Sequence, residues 1–221
     1  MMQIEQAPRG ASQTTRWGSL AFKVGTGAIA GFFGALGLLT LMGSGALGTL
    51  DPSREIAALV GLIYLLSAAV VGLGLLSPGI GARLLNVEDA AEIGEMRAML
   101  VWSTAGTFAI AAVFMFAAFA APAGTIPAPW ALAGIVVSFA LAWYAGHRQR
   151  RHVDELMRTV SSESVVLAFY LSVMFGGGWA LLSHLEMVAG PSPIDWLSMF
   201  GGFMLLACFV VIVRRGMVRA G

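Results

Sequence analysis

The side chains with chemistry to offer are few and far apart. Ser44 lies between Gly43 and Gly45. A serine so placed becomes a nucleophile only if a histidine at the same depth takes its proton. His184 is the one histidine whose place along the chain allows that, but nothing else around Ser44 resembles a hydrolytic centre. The same stretch, Gly43-Ser44-Gly45-Ala46-Leu47-Gly48, spells G-x-G-x-x-G, which grips a dinucleotide only between a strand and a helix. Here it follows a long apolar run and reads as chance. A metal site needs paired ligands at matched depth. His147 and His152 lie at one end of an apolar run and His184 at the other. Glu186 reads as an exposed loop acid. Cys208 is the only cysteine, which excludes an internal disulfide and a Cys-rich metal site. The expectation is no catalytic residue, no metal ligand set and no cofactor, so an enzyme is disfavoured.

A binding role is easier to place. His147-Arg148-Gln149-Arg150-Arg151-His152 is a basic block, followed closely by Asp154, Glu155 and Arg158. Near a membrane surface such a block attracts anionic lipid headgroups at about 1 kcal/mol per basic residue. It could equally dock the acidic residues Glu88, Asp89, Glu92 and Glu95. Arg148, Arg150, Arg151, Asp154, Glu155 and Arg158 are therefore the candidate interaction surface. A net charge of +1 leaves no field to capture nucleic acid.

The elements that carry these residues follow from composition. Of 221 residues, 58% are hydrophobic and only 11% charged, with a mean hydropathy of +0.82. A soluble domain carries roughly 25% charged residues. The chain therefore lacks the polar surface that water requires. Residues 1–16 are polar and read as a loose tail. Residues 17–221 read as one membrane domain of six helices, over about 20–42, 56–76, 98–120, 130–146, 164–183 and 196–213, each near the 20 or so apolar residues that a crossing needs. Residues 98–147 contain no Asp, Glu, Lys or Arg, yet are too long for one crossing. Pro122, Gly124, Pro127 and Pro129 mark a hairpin in their middle.

Charge sets the orientation. Threading these six runs across a bilayer puts twelve of the thirteen Lys and Arg on one side, leaving only Arg54 opposite. The positive-inside rule then places both termini in the cytoplasm. Trp17, Trp102, Trp130, Trp143 and Trp196 fall at run ends, where an aromatic belt is expected.

In lipid, helices associate by close backbone approach at small residues. Gly27 and Gly31 in the first run, Gly134 and Ser138 in the fourth, and Gly176 in the fifth sit on such small-residue faces and are the candidate packing positions. Gly176-Gly177-Gly178 could also form a hinge. Two segments, about 83–97 and 153–160, have apolar residues at helical spacing and read as short amphipathic cytoplasmic helices before the third and fifth crossings. Each contains Val followed by two acids, a hint of an internal repeat of hairpins.

From Asp154 to Ser164 the chain reads D-E-L-M-R-T-V-S-S-E-S. It resembles the D-E-x-x-R-x-[IV]-x-x-E-[AS] signature found before a membrane helix in small uncharacterised bacterial inner-membrane proteins. Asp154, Glu155, Arg158 and Glu163 occupy its charged positions. The resemblance implies a multi-pass protein of the bacterial inner membrane and no particular chemistry. The functional expectation is an accessory or structural membrane protein acting through helix packing with lipid, a protein partner or a second copy of itself. The alternative is a transporter or channel for an uncharged or lipid-like solute, since no ionisable residue falls near a predicted midplane.

Overall fold

Where no water can bond the backbone, a chain must satisfy its N–H and C=O groups internally, and an apolar run does so as a helix. The computed structural model describes residues 31–46, 48–76 and 90–217. Six helices appear among them. A shorter apolar helix, α1, runs Gly31–Gly43. Five longer ones are α2 (Pro52–Leu76), α3 (Ala90–Ala118), α4 (Ala128–Gln149), α5 (Glu155–His184) and α6 (Pro193–Arg214). All five are long and apolar enough to cross a membrane. Two isolated β-bridges, Gly48 with Gly124 and Ala120 with Ile126, tie loops together. The polar tail 1–16, Gly27 and the start of the first run lie outside the described residues, as does most of the acidic stretch before α3.

The helices extend past the apolar runs that predict them. The amphipathic segment before the fifth crossing is not a separate helix: Asp154 caps α5, and the helix continues from Glu155 through the whole apolar run. Ser161-Ser162-Glu163-Ser164 contains no Gly or Pro to stop it. At 30 residues α5 is about 45 Å long, half as long again as a roughly 30 Å hydrocarbon core. Residues 90–97 are likewise continuous with α3.

Packing is inverted relative to a water-soluble globule. Buried positions are mostly small: Ala57, Ala58, Ala111, Ala118, Ala131, Ala145 and Ala207. Large apolar side chains such as Trp130, Trp143 and Phe209 face outward. That is the pattern of an integral membrane protein, in which exposed Leu and Phe meet lipid at no cost. Helix α2 is central, packed against α3 and α6; α4 leans on α3, and α5 on α6. Phe114 of α3 fills the space between α2 and α6. A methyl group built on Gly61 would lie 2.8 Å from Phe114 Cβ, and one on Gly201 would strike its ring. Tyr64 stacks on Phe114 at 5.8 Å and donates its hydroxyl to the Gly201 carbonyl at 3.0 Å.

Each end of the bundle has its own locks. At the end carrying the α3–α4 hairpin, Arg54 donates to the Ala118 and Ala120 carbonyls (3.1 and 2.6 Å) and sits 3.7 Å from Asp51. Ser192 and Asp195 form a reciprocal cap on α6. At the other end, which carries Arg148–Arg151, Arg215 after α6 donates from Nε to Glu163 of α5 at 2.9 Å. Glu163 holds the Arg215 guanidinium above its ordinary pKa, through the hydrogen bond first.

Candidate functional site: a lateral groove beside the basic end

The small-residue stripe of α4 splits into two halves with different fates. Gly134 packs on α3, where a Cβ would meet the Phe116 ring at 2.6–2.7 Å, and Ser138 is buried. One and two turns further on, Ala142 and Gly146 leave that seam and line a groove. A Cβ on Gly146 would meet nothing within 4 Å. The groove forms because α4 packs closely on α3 and not on α6, while α3 and α6 approach each other mainly at Phe114 and Gly201. The cavity holds about 470 Å³. Val113 and Phe114 of α3, Phe139 of α4 and Leu197 of α6 give it an apolar interior. Ser103, Thr107 and Gln149 put polar groups on its walls, and Tyr64 reaches it from α2.

The hydroxyls of this groove differ from others in the bundle. Ser67, Thr104, Ser164, Ser172 and Ser198 each return their hydroxyl to the carbonyl four residues earlier, at 2.8–2.9 Å. Such back-bonding is the usual way to satisfy Ser and Thr within a helix. Among the described residues, Ser103 and Thr107 make no such bond. They lie one turn apart on the groove wall with a donor available. A second groove, of about 390 Å³, runs between α2 and α3 past Ala68, Val101 and Phe108 and is almost wholly apolar.

The candidate surface residues cluster at one end of the molecule without forming a single patch. Arg148 stacks on Trp102 with its Cζ 5.3 Å from the ring centre, and Trp102 in turn meets Tyr144 edge-on. Arg151 reaches His147 at 3.4 Å. Arg150 is exposed and caps the C-terminus of α4, one residue beyond Gln149 in the groove. Asp154 accepts from the Met157 backbone N–H at 2.7 Å, so its carboxylate is engaged in helix capping. Glu155 and Arg158 form an exposed pair at 3.7 Å.

The remaining packing positions divide similarly. Gly176 is buried, and a Cβ there would lie 2.7 Å from the Trp196 ring of α6. Ser164, Ala168 and Ser172, on the same stripe of α5, are buried as well. A Cβ on Gly31 would meet nothing within 4 Å, whereas one on Gly34 of the same helix would lie 3.5 and 3.6 Å from Leu66 and Leu62. The glycine run of α5 coincides with a π-helical turn, Ser172–Gly177, rather than an unwound segment. The chain stays helical through it, with hydrogen bonds shifted by one residue.

Ser44 donates to the Leu41 carbonyl at 2.7 Å and is exposed. Among the described residues no three His, Cys, Asp or Glu side chains converge as a metal site would require. Neither protein-family models, nor curated proteins, nor solved structures match this chain. Its functional reading therefore rests on its own geometry.

Proposed function

We propose that the protein is an accessory component of a bacterial inner membrane, crossing it six times with both termini in the cytoplasm and acting through lateral packing with lipid or protein rather than through catalysis. The observation that carries this reading is the open arrangement of the outer helices. Helix α4 packs on α3 and α5 on α6, so each leaves a long apolar face, and α4 also forms one wall of the groove. The apolar helix 31–43 lies within the first predicted run, and apart from Arg54 the basic residues of the described helices lie at the Arg148–Arg215 end, which supports a cytoplasmic face there. The resemblance of Asp154–Ser164 to a signature of inner-membrane proteins supports the same location. Cross-linking in intact membranes, followed by purification in a mild detergent, tests the reading. A defined complex, with a second copy or another membrane protein, is expected. A chain that stays monomeric and unlinked, and whose deletion disturbs no membrane assembly, would contradict it.

A second reading, a transporter for an uncharged or lipid-like solute, is favoured by Ser103 and Thr107, whose hydroxyls are available inside the groove, and by the π turn in α5. Such turns recur at functional positions in helices. Solute flux in proteoliposomes separates the two readings.

A further inference from the structure

We propose that the groove between α3, α4 and α6 holds one acyl chain of an anionic phospholipid, drawn from the leaflet on the basic side, with its phosphate against Arg150 and Arg151. This rests on the reading of the helices as bilayer crossings and adds to it a specific ligand.

The dimensions fit one leaflet. The α4 wall from Phe139 to Gln149 rises about 15 Å at 1.5 Å per residue, half of a hydrocarbon core of roughly 30 Å. The volume, about 470 Å³, lies within the roughly 300–1,000 Å³ of small-molecule sites. The walls change character along this length as a phospholipid does. Val113, Phe114, Phe139 and Leu197 suit an acyl chain. Thr107, Ser103 and Gln149 can donate to ester carbonyls, and two of them lack the backbone bond that occupies Thr104. Arg150 and Arg151 follow immediately, exposed. Arg158 and Arg215 have carboxylate partners, whereas no described carboxylate lies within 4 Å of Arg150 or Arg151. The Arg150 guanidinium is left without a carboxylate and Arg151 reaches only the His147 ring, and such cations suit a phosphate. Gly146 keeps the mouth clear, since any side chain there would project into open space.

Native mass spectrometry of the full chain, released from nanodiscs of equal phosphatidylglycerol and phosphatidylethanolamine, tests this. One retained phosphatidylglycerol is expected. Gly146→Leu, which fills the mouth, should lower its retention about tenfold or more. The double change Arg150→Gln, Arg151→Gln should leave a lipid bound but reduce the preference for the anionic headgroup roughly tenfold or more. No retained lipid, equal retention of the two headgroups, or undiminished retention by Gly146→Leu would overturn the proposal. If Gly146→Leu fails to fold, photolabelling of the wild-type chain by a diazirine-bearing phosphatidylglycerol decides. Label is expected on 103–110 and 139–149, and label confined to outer positions such as Leu132, Val136 and Val165 would overturn it. A membrane-bound chain without retained lipid removes the lipid site alone. A chain recovered in the soluble fraction without detergent removes the bilayer reading as well.

Discussion

Arg54 donates from Nη1 to the carbonyl oxygen of Ala120 at 2.6 Å, and from the same nitrogen to Ala118 at 3.1 Å. It is the one basic residue that the charge count leaves on the far side of the membrane, and its position has a structural cause. The last carbonyls of α3 have no partner within the helix, and a cation is favourable at that negative end of the helix dipole. Arg54 supplies both a donor and a charge, and ties the first turn of α2 to the end of α3.

Arg54→Ala should therefore destabilise the bundle by about 1.5–3 kcal/mol, the range for hydrogen bonds to charged groups. Arg54→Lys should recover part of the loss, because an ammonium keeps the charge but not the planar fork. Thermal unfolding in detergent, followed by tryptophan fluorescence, checks both. No change in Arg54→Ala would contradict the capping role.

Phe114 and its two glycine neighbours make a second prediction. Gly201→Ala puts a methyl group into the Phe114 ring and should cost about 1–3 kcal/mol, as overpacking does. Gly146→Ala, on the open groove wall, should be neutral or up to about 1 kcal/mol stabilising, from helix propensity alone. Tyr64→Phe removes one interhelical hydrogen bond and should cost about 0.6 kcal/mol, a typical value between membrane helices. The same unfolding measurement ranks the three. Equal effects at Gly201 and Gly146 would contradict the packing described here.

The helices α2 to α6 were legible in the chain because each apolar run is long and its breaks are chemically loud. Pro122, Pro127 and Pro129 place the α3–α4 hairpin, and Pro191 and Pro193 the turn before α6. The extension of α5 back to Glu155 was not legible, because the amphipathic start and the apolar run differ in period but are not separated by a breaker. The partnership of Glu163 with Arg215 spans 52 residues, and no local pattern records it. Gly134 and Gly146 belong to one stripe in the sequence, yet one meets Phe116 and the other meets nothing. That difference arises from how α4 diverges from α6. The groove residues Ser103, Thr107 and Gln149 were missed for the same reason: only the rotation of three helices brings them to one wall.

The Glu163–Arg215 pair predicts a proximity that can be trapped. With Cys208→Ala as background, the pair Glu163→Cys, Arg215→Cys should be joined by a short bis-maleimide, so that the fragments on either side of the loop 185–192 stay joined after proteolysis there. Moving one cysteine to Val166, on the outer face of α5, should abolish the link. Linking from both positions would contradict the ordered pairing. The native pair, being exposed, should also loosen at high salt.

The glycines of α5 are not equivalent. Gly176→Val should drive the Trp196 ring away and separate α5 from α6, at a cost of about 1–3 kcal/mol. Gly178→Ala should be tolerated, since a Cβ there meets nothing within 4 Å. If the transporter reading holds, Gly178→Ala should also slow solute flux in proteoliposomes by stiffening the turn that follows Ser172–Gly177. Unchanged flux would remove the π turn from that reading.

The account depends on three crossings, α4 to α6, between the α3–α4 hairpin and the C-terminus, with the basic flanks on one side. Reporter fusions after residue 217 and within 122–127 measure this directly, using one enzyme active only in the cytoplasm and one active only outside it. The prediction is that the C-terminal fusion reports the cytoplasm and the hairpin fusion reports the opposite compartment. Both fusions reporting the same compartment would contradict it.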